Sequence, residues 1–199
     1  MERIFVVVGH RAKASGKFDL SDLSSSGGWV DTLIRCLTTS FCLSNGVRKD
    51  TTTYLVFLGG KRAPKTIKVH GLELRSLNSD ERSAGGLIRT ALTKRTRGKR
   101  WVKSTAGIYV SKLSFGDLLS ELSEQGCSFI HSREGGVDVR DMELSERPCF
   151  ILGDNRDLTE DEEAILDTYP WEKMSVGPIS YHADHCITVI QNEIDRRTN

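Results

Sequence analysis

Two histidines and a cysteine stand within five residues, His182, His185 and Cys186, in the segment SVGPISYHADHCITVIQNEID (175–195). Three chemistries suit those residue types: a metal site, a thiol nucleophile with its base, or a backbone cradle for a small molecule. Zinc fits poorly. On a helix His182 and His185 share a face, Cys186 points about 100° away from His185, and no fourth ligand is apparent, so no metal is expected. A thiolate is needed when a pyrimidine carbon must be activated by covalent addition. Cys186 lies on an apolar stripe with Ile187, Ile190 and Ile194, where a thiol is more often a small buried hydrophobe. The cradle reading rests on Gly177, which lets backbone approach a ligand, and Pro178, which fixes φ and stiffens the turn.

A second pair, Asp31 and Arg35, sits one helical turn apart and so shares a face. The carboxylate could accept or orient a proton, and the guanidinium could hold a carbonyl or a phosphate. The alternative is an ion pair within a helix, worth a few tenths of a kcal/mol. Cations cluster in 82–103, with Arg82, Arg89, Lys94, Arg95, Arg97, Lys99, Arg100 and Lys103 and no carboxylate among them. Lys61, Arg62, Lys65 and Lys68 form a second group. Phosphate contacts from such a surface would bind RNA with salt-sensitive affinity, and Trp101 could stack on an exposed base. A solvated helix end and loop is the plainer alternative. The carboxylates concentrate in 141–172, so the net charge of +1 conceals the patch.

These residues need a scaffold, and the hydrophobic pattern supplies one. Strands are expected at 4–9, 51–59, 65–74, 107–112, 127–131, 148–154 and 172–178. Helices are expected at 30–43 (stopped by Asn45-Gly46), 79–94 (capped by Asn78 or Ser79), 115–126, 159–169 (capped by Thr159) and 180–195. Residues 17–30 read as a loop, and Gly135-Gly136 as a turn. This alternation predicts one α/β domain with a mainly parallel sheet, whose ligands lie beyond the carboxyl ends of strands. The loops at Ser132–Gly136, Gly153–Asn155 and Gly177-Pro178 satisfy that rule. Hydrophobic content of 38% and charged content of 28% suit a folded soluble chain of 199 residues. No apolar run approaches the roughly 20 residues of a membrane span, and MERIFVVVGH reads as a first strand instead of a signal peptide. Five scattered cysteines without a CxxC argue for reduced thiols and a cytoplasmic setting.

The blocks FILGD (150–154), SVGPIS (175–180) and HCITVIQNEIDR (185–196) resemble the SPOUT methyltransferases. More closely, with GWVDTLIRC, GVRKDTTTYLVFLG and PKTIKVHG, the chain resembles the TrmY family across nearly its whole length. That family methylates N1 of pseudouridine in tRNA. The resemblance implies a single SPOUT domain over 1–199 with a trefoil knot at about 127–199, a homodimer, and S-adenosyl-L-methionine held by backbone groups. Carried over, the cofactor site is Ser132, Leu152, Gly153, Val176, Gly177, Pro178, Ile179, Ser180, Tyr181 and Cys186. Asp31 and Arg35 become the catalytic candidates. Arg62, Arg89, Lys94, Arg95, Arg97, Lys99, Arg100 and Trp101 become the RNA-binding ones. Trp29 stands where the family pattern has an arginine, and NRDL (155–158) departs from the usual continuation after FILGD. Methylation of ribosomal RNA or another base, and a knotted dimer that binds RNA or cofactor without catalysis, are the competing expectations.

Overall fold

The computed structural model describes residues 1–198. The run RIFVVVG opens β1 (Arg3–Lys13), whose side chains are buried on both faces of the sheet. A short helix α1 (Leu23–Gly27) and the longer α2 (Val30–Phe41) follow. A small hairpin, β2 (Cys42–Leu43) with β3 (Gly46–Val47), leads to β4 (Thr51–Gly59) and β5 (Lys65–His70). Next come α3 (Glu81–Thr93), β6 (Val102–Thr105), β7 (Ile108–Ser111) and α4 (Phe115–Glu124). The last third is β8 (Ser128–Asp138), β9 (Pro148–Gly153), α5 (Glu160–Leu166), β10 (Trp171–Ser175) and α6 (Ala183–Thr198).

Eight strands form one sheet in the order β10-β8-β9-β1-β4-β5-β7-β6. From β10 to β4 every pairing is parallel, and β5, β7 and β6 extend the sheet by antiparallel pairing. The mainly parallel α/β architecture is therefore as expected, with an antiparallel flank. Phe5 and Val7 face α2, α3 and α6, packing with Leu33, Ile34, Ile88 and Ile187. Ile4, Val6 and Val8 face the other way, against Leu118, Leu119 and Leu122 of α4 and Leu166 of α5. Each such side chain stabilises the fold by roughly 1.5–3 kcal/mol relative to exposure. Arg3 is buried in β1 and donates to Gln191 Oε1 at 2.7 Å and Asp195 Oδ1 at 2.6 Å, clasping α6 to the first strand. Among the described residues no helix is long and apolar enough to cross a membrane.

Several local expectations are corrected. The supposed loop 17–30 contains α1, capped by the Asp22 carboxylate. Asn45-Gly46 does not stop a helix: Asn45, with Ser44, turns the β2–β3 hairpin, and Gly46 begins β3. The N-cap of α3 is Asp80, which accepts from the Ser83 N–H, and not Asn78 or Ser79. The strand expected to reach 74 stops at His70, because the Glu73 and Leu74 N–H groups turn back to its carbonyl. Residues 102–105 form an unforeseen edge strand against β7. Gly135-Gly136 makes no turn but continues β8; a Cβ at Gly136 would lie 2.5 Å from the Met174 backbone, so glycine permits that strand contact. The final helix begins at Ala183 and not near 180.

Candidate functional site

A cavity of about 520 Å³ opens beyond the carboxyl end of β9 and beside the middle of β8. Leu152 and Gly153 at the end of β9, Ser132 on β8, Ser180 and Tyr181 just before α6, and Cys186 in its first turn all line it. A smaller hollow of about 70 Å³ shares Ser132, Ser180, Tyr181 and Cys186 and adds Val176, Gly177 and Ile179. Nine of the ten residues expected for a cofactor are thus brought together. Pro178 lines a different hollow, with Arg140 and Val189. Arg133, Glu134, Asp154 and Asn155, from two of the loops expected to face a ligand, also line the cavity, and Arg156 and Asp157, which sequence reasoning missed, complete its wall.

The wall is built tightly on one side. A Cβ on Gly153 would lie 1.8 Å from the Arg156 carbonyl oxygen, so only glycine lets the chain fold back there. Opposite it, the Cys186 thiol contacts the Tyr181 carbonyl at 3.6 Å, and burial pushes its pKa up. A protonated thiol is no nucleophile. Across the opening, Ser180 Oγ donates to the Glu134 carboxylate. Ile179 and Tyr181 are exposed on the outer loop, leaving apolar surface beside the cavity.

Behind the cavity lies a feature not anticipated from the sequence. His10, just past Gly9 in β1, places Nδ1 3.0 Å from Asp154 Oδ1 and Nε2 2.9 Å from Glu162 Oε2. Hydrogen bonds to these two carboxylates raise its pKa from 6.5 to about 9. The imidazolium thereby joins β1, the cavity loop and the first turn of α5. Glu162 also closes the capping box with Thr159 that starts that helix.

Asp31 and Arg35 meet as expected, at 2.7 Å. Arg35 also lies 3.7 Å from Asp184 at the start of α6 and donates to Thr32 Oγ1 at 3.3 Å. Thr32 in turn reaches Asn155 of the cavity loop at 3.3 Å, which links the pair to the cavity through α2. Asp31 Oδ1 is buried without a hydrogen-bond partner among the described residues. His182 and His185 bring their rings 6.0 Å apart at the cavity edge.

The cations divide into free and committed groups. Arg62, Arg89, Lys94, Arg95, Arg97, Lys99 and Arg100 are exposed, and Lys99 pairs with Asp117 at 2.6 Å. Trp101 is half-buried: its ring leans on Tyr54 and its N–H donates to Glu121 at 2.9 Å. It therefore fastens the segment to α4 and β4 and is no free stacking platform. Lys65, counted with the second basic group, is buried and donates to the Leu92 carbonyl at the end of α3.

Comparison with known proteins gives a consistent result. Residues 2–199 match the family described as "Putative SAM-dependent RNA methyltransferase". A protein of Methanosarcina acetivorans named tRNA (pseudouridine(54)-N(1))-methyltransferase is 44% identical over 195 residues, covering 98% of this chain and 91% of its own. The protein of the same name from Methanococcoides burtonii is 42% identical, covering 98% and 96%. The fold is similar to that of Archaeoglobus fulgidus Nep1 bound to S-adenosylhomocysteine, with a TM-score of 0.68, 17% identity and full coverage of both chains.

Proposed function

The chain belongs to the SAM-dependent RNA methyltransferases, and on that premise we propose that it methylates N1 of pseudouridine in tRNA, at position 54. The observation that carries this reading is the cavity at the end of β9 and beside the middle of β8, within a chain that matches relatives of that name over 98% of its length. Its volume lies within the usual range of roughly 300–1,000 Å³ for small-molecule sites.

The residues present fit S-adenosyl-L-methionine. Leu152 and Cys186 give apolar walls, Gly153 turns backbone sharply at the cavity, and a Cβ on Gly177 would meet nothing within 4 Å. Leu152, Gly153, Ser132 and 176–181 would hold the molecule, chiefly through backbone, with Pro178 stiffening the outer loop from behind. When bound, the cofactor supplies an electrophilic methyl group on sulfur. Arg133, held by Asp157 at 3.1 Å and Glu163 at 2.6 Å, shapes the opposite wall.

Pseudouridine differs from uridine in its free N1–H, and that proton must leave. Asp31 is suited to take or orient it, since Arg35 fixes one carboxylate oxygen and the other has no hydrogen-bond partner among the described residues. Nitrogen already carries the attacking lone pair, so no covalent adduct with Cys186 is required. Placement of the nitrogen supplies much of the rate. The exposed cations from Arg89 to Arg100, with Arg62, would bind the RNA backbone.

The whole chain acts as one SPOUT domain in this reading. The chain passes from β9 beyond β8 to β10 before α6 returns, a path suited to a trefoil knot over about 127–199. A homodimer meeting through α6, working on tRNA in the cytoplasm, completes the proposal. The test uses methyl-labelled S-adenosylmethionine and two matched tRNA transcripts, with uridine or pseudouridine at position 54. Label on the pseudouridine transcript alone supports it. Label on both, or on neither, refutes the assignment of N1.

A further inference from the structure

Trp29 breaks two local rules at once. It is the only non-glycine with positive φ among the described residues, at φ 66°, and it caps α2 without a capping side chain. Asparagine, aspartate, serine or glycine would suit the cap better, and asparagine or glycine the left-handed backbone too. Conformations of this kind persist where the surroundings over-determine them, and they cluster at functional sites.

The surroundings are two arginines. The Arg11 guanidinium lies 4.5 Å from the Trp29 ring centroid, and that of Arg156 lies 6.0 Å from it. Both are exposed, and neither forms an ion pair among the described residues. Two guanidiniums drawn to one ring keep their charge available, because an aromatic face attracts a cation without neutralising it. Arg156 itself lines the cavity. Arg11 lies beyond Gly9, on the part of β1 that runs past the carboxyl end of β9. The trio therefore stands at the mouth of the site, separate from the basic segment 94–100.

Resting on the methyltransferase reading above, we infer that Arg11 and Arg156, preset by Trp29, clamp the RNA phosphates flanking the nucleotide that enters the cavity. Guanidiniums match phosphate oxygens by paired donors, and preset ones lose less freedom on binding. Trp29 is then a positioning residue. A left-handed backbone aims its ring between the two cations, where a residue with ordinary φ would aim elsewhere.

The experiment compares wild type with Trp29→Asn, Arg11→Gln and Arg156→Gln. It measures thermal melting, S-adenosylmethionine affinity, RNA affinity across a salt series, and kcat and KM for tRNA with pseudouridine at position 54. Asparagine satisfies both the cap and the backbone, so Trp29→Asn should melt no lower than wild type. Its KM for tRNA should rise about tenfold, with kcat and cofactor affinity changed less than threefold. Each arginine variant should lower the slope of log affinity against log salt by about 0.7–0.9. Variants that bind RNA with wild-type affinity and slope overturn the clamp. So does a Trp29→Asn protein that loses stability in proportion to its loss of RNA binding. A wild-type chain that binds the transcript without methylating it sinks only the proposed reaction, and the binding data still decide the clamp. A wild-type chain that does neither overturns both.

Discussion

His10 and Asp154 meet twice. The His10 backbone N–H donates to Asp154 Oδ2 at 3.0 Å, while its ring nitrogen Nδ1 stands 3.0 Å from Oδ1. One residue ends the regular core of β1 and the other follows β9, so the contact ties neighbouring parallel strands where the cavity begins. With Glu162 on the other ring nitrogen, both imidazole nitrogens face carboxylates and both act as donors in the charged form.

This tie makes stability depend on pH in a defined direction. The folded-state pKa of His10 is raised above 6.5, to about 9. Its contribution is therefore complete below pH 6.5 and is lost as pH rises through 9. A loss of about 2 kcal/mol is expected across that window, allowing for partial solvent screening. Urea unfolding at pH 6 and pH 9.5 measures it, and His10→Gln should flatten the difference. An equally steep difference in that variant would place the effect elsewhere.

Gly153→Ala should damage the cofactor site selectively. The added methyl meets the Arg156 carbonyl, and the loop lining the cavity must move. Calorimetric titration with S-adenosylmethionine is expected to show at least a tenfold weaker affinity. Retention of wild-type affinity would mean that this loop does not hold the cofactor.

Cys186→Ala should leave methyl transfer within about threefold of wild type. Its thiol is kept protonated by burial and serves as packing. Truncation of so small a side chain costs about 1 kcal/mol of stability. Complete loss of turnover in a folded Cys186→Ala protein would restore the covalent mechanism.

Asp31→Asn preserves the shape of the α2 pair and removes the acceptor charge. If Asp31 handles the N1 proton, kcat should fall about a hundredfold while KM for tRNA stays near wild type. An ion pair of purely structural importance would change kcat less than twofold and would appear only as a small shift in melting temperature.

The loops that line the cavity were legible because the signal that marks them is local. A glycine must end a buried strand for backbone to turn close to a ligand, and FILGD and SVGP show that pattern in consecutive residues. The His10 network was not legible, since its partners lie 144 and 152 residues away and nothing near VVVGH announces them. The order of the parallel strands supplies the missing information, because it places the end of β1 beside the end of β9. Trp101 misled for the same reason: among cations it reads as exposed, but Tyr54 and Glu121 capture it from other elements. Arg11 was overlooked because β1 outlasts its apolar run, continuing to Lys13.

The Arg3 clasp has a consequence in time. Its partners Gln191 and Asp195 lie 188 and 192 residues along the chain, and Cys186 of the same helix walls the cavity. A growing chain has β1 ready long before it has anything for Arg3 to hold. The cavity wall is thus complete only once α6 has been made, and a chain cut short before α6 carries neither the clasp nor a finished pocket. Occupancy of the pocket would therefore report that α6 has been made and has docked on β1.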